Sequence, residues 1–193
     1  MIEYPVRIVQ IRSRNLPHWT TDEGTYAVTF RLADALSSEL ARRIAERRRS
    51  RGLAERLLDR NFGRCWLRHY RIALLVDGAI RFFDQERYLM HAWTIMPNHV
   101  HAAFRLLPGV KLDEVTKAWK GYTARRANEI LGRKGMFWQD ESYDSLLHDQ
   151  HELNRVIHYI VQNPIRAKLT NWPWTTVLRR EFQLRTSPVV VAV

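Results

Sequence analysis

His99 and His101 stand two residues apart in the stretch Met96-Pro-Asn-His-Val-His-Ala-Ala-Phe104. Side chains in a β-strand alternate faces, so both imidazoles project to one side while Val100, Ala102 and Phe104 project to the other. One face suits a core; the other offers two nitrogen ligands for a metal ion. His-x-His is a weak motif alone, since eight histidines in 193 residues also fall two apart by coincidence. A completing group is available on a later helix. Tyr159 and Asn163 are four residues apart and therefore neighbours on one helical face. The apolar stripe of that helix is Leu153, Val156, Ile157 and Ile160. Tyr159 falls roughly 130° from the stripe's centre and Asn163 roughly 90° from it. That puts Tyr159 off the core face, near Glu152 and Arg155. Tyr122, by contrast, falls inside the stripe of its own helix and reads as buried packing.

The elements that must position these groups follow from periodicity and punctuation. Thr25–Leu32 alternates and is rich in β-branched and aromatic residues, as a first strand should be. Asp34 reads as the N-cap of a helix to about Ser50, with a short helical continuation at 53–60. Ile72, Leu75, Val76, Ala79, Phe82 and Phe83 recur at helical spacing and predict a helix over 70–83. Strands at 88–95 and 99–105 flank the Pro97-Asn98 turn and form a hairpin. Leu112, Val115, Trp119, Tyr122, Thr123, Ile130 and Leu131 mark a helix over 111–131. An extended segment, Phe137–Asp144, precedes the last helix, 149–163, which Pro164 is expected to stop. Trp172-Pro-Trp174 is expected to pack back on the body. This order predicts an α+β chain: a ferredoxin-like antiparallel sheet packed with helices. The chain reads as one domain, 1–193, with a loosely ordered N-terminal segment 1–24 and a C-terminal tail 176–193.

Charge narrows the partner. Lys and Arg total 31 against 20 Asp and Glu, a net charge of +11 with a pI near 10.4. That balance favours a polyanion. Nucleic acid is preferred to a membrane surface, because no segment joins a wide apolar face to a basic one. No apolar run is long enough to span a bilayer, and no leader-like pattern opens the chain. The basic run 42–51 and the outer face of the 111–131 helix, with Lys117, Lys120, Arg125 and Arg126, are candidate phosphate-backbone contacts. Seven tryptophans and seven tyrosines offer stacking surface, most of it expected in the core. The lone cysteine, Cys65, allows no internal disulfide and suits a cytoplasmic, nucleoid-associated protein.

Pro97-Asn98-His99-Val100-His101, Phe137-Trp138-Gln139 and His158-Tyr159-Ile160-Val161-Gln162-Asn163-Pro164, in that order, resemble the REP-associated tyrosine transposases, members of the single-tyrosine HUH endonuclease superfamily. The resemblance runs from about Thr25 to Trp174. It implies a ferredoxin-like fold, His99 and His101 as metal ligands with Asn163 as the amide ligand, and Tyr159 as the nucleophile. It also implies a magnesium or manganese ion. The activity implied is cleavage and rejoining of single-stranded DNA beside palindromic-repeat hairpins through a 5′-phosphotyrosine, by a monomer or homodimer. Two other readings use the same residues differently. A non-catalytic ferredoxin-like nucleic-acid-binding protein would explain the charge but leave the histidines and Tyr159 incidental. A zinc hydrolase would explain His-x-His but lacks a third His or carboxylate at a recognisable spacing.

Overall fold

The computed structural model describes residues 8–13, 17–21, 23–36 and 62–178. The expected helices at 34–50 and 53–60 and the basic run 42–51 therefore lie outside the described residues, apart from the turn at 33–36. Two strands come first, β1 (Ile8–Ser13) and β2 (Pro17–Thr21), paired antiparallel. Within the segment 1–24, expected to be loosely ordered, residues 8–13 and 17–21 are therefore paired strands. Pro17 opens β2, and a proline at a strand's first position forfeits no ladder bond.

The main sheet has five strands: β3 (Thr25–Arg31), β4 (Tyr88–Ile95), β5 (His99–Leu106), β6 (Tyr143–Leu147) and β7 (Thr175–Val177). Their spatial order is β6-β3-β5-β4-β7, and every neighbouring pair is antiparallel. Helix α1 (Tyr70–Phe82) connects β3 to β4, and helix α2 (Leu112–Ile130) connects β5 to β6. Counting from β3, the first four strands lie in the order fourth, first, third, second, with a helix inside each of two β-α-β units. That is the ferredoxin-like layout. Helix α3 (Gln150–Arg166) follows β6, and β7 then adds an edge strand beside β4. Residues 176 and 177 thus belong to the sheet rather than to a loose tail.

Alternation divides the sheet into two differently furnished faces. Tyr26, Val28, Phe30, Val100, Ala102 and Phe104 face α1 and α2 and form most of the core with Ile72, Val76, Val115 and Trp119. Large polar-tipped side chains enter this core only with their polar atoms satisfied. Trp119 Nε1 donates to the Tyr88 hydroxyl at 3.0 Å, and that hydroxyl donates to the Ile80 carbonyl at 2.7 Å. Trp138 Nε1 donates to Thr123 Oγ1 at 2.9 Å, tying the 137–139 segment to α2. Phe137–Asp144 is extended as expected, but Trp138 forms only an isolated bridge to Leu32, and the true strand begins at Tyr143. Trp172 and Trp174 do pack back: Trp172 Nε1 donates to the Ile95 carbonyl at 2.7 Å, and Trp174 stacks against Tyr70.

The opposite face is smaller and mixed. Ala92, Ala103, Leu153 and Ile160 form its apolar patch, with Leu147, Val156, Ile157 and Tyr159 packed against it. Helix α3 begins at Asp149, whose side chain accepts from the Glu152 N–H at 2.7 Å while Glu152 reaches back to the His148 N–H. That is a capping box, two orphan donors satisfied reciprocally. Pro164 does not stop α3, which runs on to Arg166. Only one ladder bond is forfeited, and the next amides recover: Ala167 N–H donates to Asn163 O and Leu169 N–H to Pro164 O. Among the described residues no helix is long and apolar enough to cross a membrane.

Candidate active site

Strand β5 carries the two histidines on the face that α3 covers. Met96 N–H donates to the His99 carbonyl and closes the turn, so His99 is the first residue of the returning strand. The expectation that these imidazoles leave the core needs correcting: His99 is 0% and His101 4% exposed. Helix α3 lies over them. Burial is tolerable because each ring is held by hydrogen bonds.

Those bonds fix the tautomer of His99. Asn98 is itself buried, and its Nδ2 donates to the Phe62 carbonyl at 3.0 Å. Its Oδ1 therefore faces His99 Nδ1, at 2.7 Å, and can only accept. His99 consequently carries its proton on Nδ1 and presents the lone pair of Nε2. His101 Nε2 lies 3.0 Å from that lone pair, and His101 Nδ1 lies 2.7 Å from Thr29 Oγ1. A hydroxyl can donate or accept. With Thr29 donating, His101 carries its proton on Nε2 and bridges to His99. With Thr29 accepting, the proton sits on Nδ1 and both Nε2 lone pairs converge on one point. The second arrangement is what a metal ion requires, and an outer hydrogen bond that fixes the tautomer is the usual support of a ligating histidine.

Both rings are neutral at ordinary pH. Burial, then His101, then Arg31 push His99 well below the ordinary histidine value. Burial, then Arg166, push His101 down to about 3. Unfolded imidazoles take up protons near pH 6.5 while the folded ones refuse them. The unfolded state thus binds more protons below that pH, and stability must fall as pH falls through 6.5 toward 3. Metal-free protein should lose on the order of 1 kcal/mol per pH unit per imidazole across that window. Urea unfolding in EDTA at pH 7.5, 6 and 5 measures this, and a midpoint that does not move would contradict it.

Helix α3 supplies the remaining groups. The Tyr159 ring meets the His101 ring edge to face at 5.2 Å between centroids, and Arg166 lies over the Tyr159 ring at 4.3 Å. Tyr159 is half-buried with its hydroxyl shielded from solvent, not on an open polar flank. The apolar stripe understates the helix's buried footprint because part of the sheet beneath α3 is polar. One turn beyond Tyr159, Asn163 is fully buried, and neither its amide oxygen nor its nitrogen has a hydrogen-bond partner. An orphaned buried amide costs about 1–3 kcal/mol, so its retention at this position points to a ligand. The donor types present, two imidazole nitrogens 3.0 Å apart and a buried amide oxygen without a partner, are chemically suited to a divalent ion. Among the described residues no group of three or more His, Cys, Asp or Glu side chains comes together.

The four basic residues expected to bind DNA are not brought to this site. They lie on α2, which packs on the opposite face of the sheet. Lys117 pairs with Asp113 at 3.0 Å, and Arg126 pairs with Glu129. Lys120 donates to the Asp140 carbonyl and holds the 140–142 loop, while Arg125 is exposed. Tyr122, expected to be buried, is 47% exposed. At 100° per residue it stands about 80° from the middle of the α2 stripe, past its edge.

Several groups of the site escaped sequence reasoning: Thr29, Arg31, Asn98 and Arg166. The alternation of β3 held the signal for two of them. With Tyr26, Val28 and Phe30 facing the core, Thr29 and Arg31 must face the other way, where they stand opposite His101 and His99. Arg31 is 7% exposed, and burial lowers its pKa, offset by Tyr143. Arg166 follows Tyr159 by seven residues and so shares its face.

A model of the transposase IS200-like family matches residues 78–163, just under half of the chain, and all four candidate residues His99, His101, Tyr159 and Asn163 fall within it. The REP-associated tyrosine transposase of Escherichia coli (strain K12) is 21% identical over 110 residues, 55% of this chain and 64% of that protein. A solved structure of a REP-associated tyrosine transposase bound to a REP hairpin superimposes with a TM-score of 0.54, at 18% identity, covering 91% of this chain and 82% of that one. The chain is similar to the REP-associated tyrosine transposases. The match spans just under two thirds of the Escherichia coli transposase, and the likeness to the solved transposase is one of fold.

Proposed function

We propose that the chain is a metal-dependent endonuclease and strand transferase that cleaves and rejoins single-stranded DNA beside a hairpin. The observation that supports this is the edge-to-face contact of the Tyr159 ring with His101, whose Nε2 lies 3.0 Å from His99 Nε2, with the orphaned buried amide of Asn163 one helical turn beyond Tyr159. His99, His101 and Asn163 would hold magnesium or manganese, which supplies charge neutralisation at a phosphate. Tyr159 is the nucleophile. Its hydroxyl oxygen attacks the scissile phosphorus, its proton passes to water, and the bond from phosphorus to the 3′ oxygen breaks. The 3′ oxygen leaves as a hydroxyl, and the 5′ phosphate stays on Tyr159. The phosphodiester energy is conserved in that linkage, so the reverse attack by another 3′-hydroxyl rejoins DNA without ATP. Arg166 over the ring keeps positive charge beside the developing phenolate.

The partner is a hairpin with a single-stranded flank, as the solved relative's hairpin complex suggests. With a net charge of +11, affinity should fall steeply with salt. Lys117, Arg125 and Arg126 on α2 would contact the backbone only where the DNA wraps to the far side of the sheet. Replacing one of them by Ala should lower the salt slope by about one per lost phosphate contact without changing the cleavage rate of bound DNA. The direct test is incubation of the full chain with a labelled hairpin oligonucleotide and magnesium or manganese. A covalent protein–DNA band, lost in EDTA, is expected. Tight hairpin binding with no adduct in either metal would instead identify a binding protein without this chemistry.

A further inference from the structure

Arg31 is a buried cation with no ion pair to a carboxylate among the described residues. It closes β3 directly across the ladder from His99, on the face that α3 covers. Its guanidinium lies 5.8 Å from the centre of the Tyr143 ring. Its Nη1 is shielded from solvent and has no hydrogen-bond partner, and no carboxylate among the described residues forms an ion pair with it. Arginine is almost never this deeply buried unless paired, because desolvating the charge costs several kcal/mol. Tyr143 cannot offset that cost: a neutral hydroxyl and an aromatic face together contribute far less than a carboxylate.

The surroundings sharpen the point. On the same face the orphaned Asn163 amide is uncharged, and the cation Arg166 lies over the Tyr159 ring. A divalent ion at the histidines would make the pocket more positive still. We propose that Arg31 is a phosphate-binding residue, whose Nη1 donates to a non-bridging oxygen of the phosphodiester that Tyr159 attacks. The planar fork of arginine suits this, as the guanidinium rests against the Tyr143 ring while Nη1 remains for the anion. Tyr143, half-buried on edge strand β6, then acts as a positioning residue for the guanidinium. The inference rests on the proposed chemistry at Tyr159, but its first test does not.

That test is anion binding. Inorganic phosphate should raise the melting temperature of the full chain in a concentration-dependent way. Arg31→Gln should abolish the rise, and Arg31→Lys, which keeps the charge but not the fork, should recover part of it. Equal phosphate stabilisation in wild type and Arg31→Gln would overturn the proposal. In the second arm, Arg31→Gln should slow single-turnover adduct formation on a hairpin oligonucleotide about 100-fold, the usual effect of removing one donor to a developing oxyanion. Hairpin affinity should change little, since one contact among many phosphates contributes weakly. Manganese binding by calorimetry should be retained. An unchanged adduct rate in Arg31→Gln would sink the assignment, and should that variant fail to fold, a wild-type rate in Arg31→Lys with no phosphate effect would do the same. Arg31-dependent phosphate stabilisation in a wild type that forms no adduct would remove the cleavage reading and leave the anion site standing.

Discussion

Tyr159→Phe should abolish both strand cleavage and the covalent protein–DNA adduct while leaving hairpin affinity and fold intact. The substitution removes one oxygen from a ring whose packing is otherwise kept: its edge-to-face contact with His101 and the guanidinium of Arg166 above it both involve the ring. The hydroxyl is shielded from solvent, so losing it costs at most about 1 kcal/mol of stability. Loss of the nucleophile, by contrast, should cost several orders of magnitude in rate, because phenylalanine has no oxygen to form the covalent link. Tyr122→Phe is the matched control. Its ring stands 47% exposed on α2, across the sheet from the histidines, and should keep full activity. The measurement is mass-spectrometric mapping of the phosphotyrosine after incubation with hairpin DNA and magnesium. An adduct on Tyr122, or cleavage persisting in Tyr159→Phe, would transfer the role elsewhere.

The burial of the two tyrosines, with Tyr122 47% exposed and Tyr159 half-buried, shows where pattern reading stops. The hairpin at 88–95 and 99–106, the helices at 70–82 and 112–130 and the sheet class followed from alternation, helical spacing and one Pro-Asn turn. These are local rules, and each element satisfies them independently. What failed was the inference from polarity to exposure. His99, His101, Tyr159 and Asn163 are polar and were read as facing away from the core, yet all are covered. Periodicity marks only the apolar part of a contact; when a polar helix flank packs on a polar patch of sheet, the moment of each points away from their shared interface. Tyr122 shows the converse, a ring counted in the stripe because it is hydrophobic though its angle places it outside. Arg31 and Thr29 were legible in the alternation of β3, but their meaning was not. Only the ladder register, Thr29 opposite His101 and Arg31 opposite His99, turns an ordinary strand into the support of a site.

His99→Ala should separate the metal from the fold, because it acts on both in measurable and different ways. The side chain is fully buried, and its Nδ1–H meets Asn98 Oδ1 at 2.7 Å. Truncation leaves a cavity and an unsatisfied amide oxygen, together about 2–4 kcal/mol of lost stability. Asn98 is also the turn residue whose carbonyl accepts from Leu32 N–H, so part of that loss should appear as loosening between β3 and the 96–98 turn. His101→Ala should cost less fold stability, since its partner Thr29 Oγ1 can turn to another acceptor on its own strand. For the metal the order is different: either substitution removes one of two imidazoles and should abolish manganese binding. The readout is melting temperature with and without manganese. Wild type should gain stability with rising metal concentration, and both variants should melt alike in metal and in EDTA. Asn163→Ala should keep a reduced gain, because water can stand in for an amide oxygen, and its metal-free form should lose little stability since the amide has no protein partner to forfeit. A manganese-induced gain that survives in His99→Ala and His101→Ala would mean that the ion binds elsewhere, and the paired imidazoles would then be a buried structural bridge held by Asn98 and Thr29.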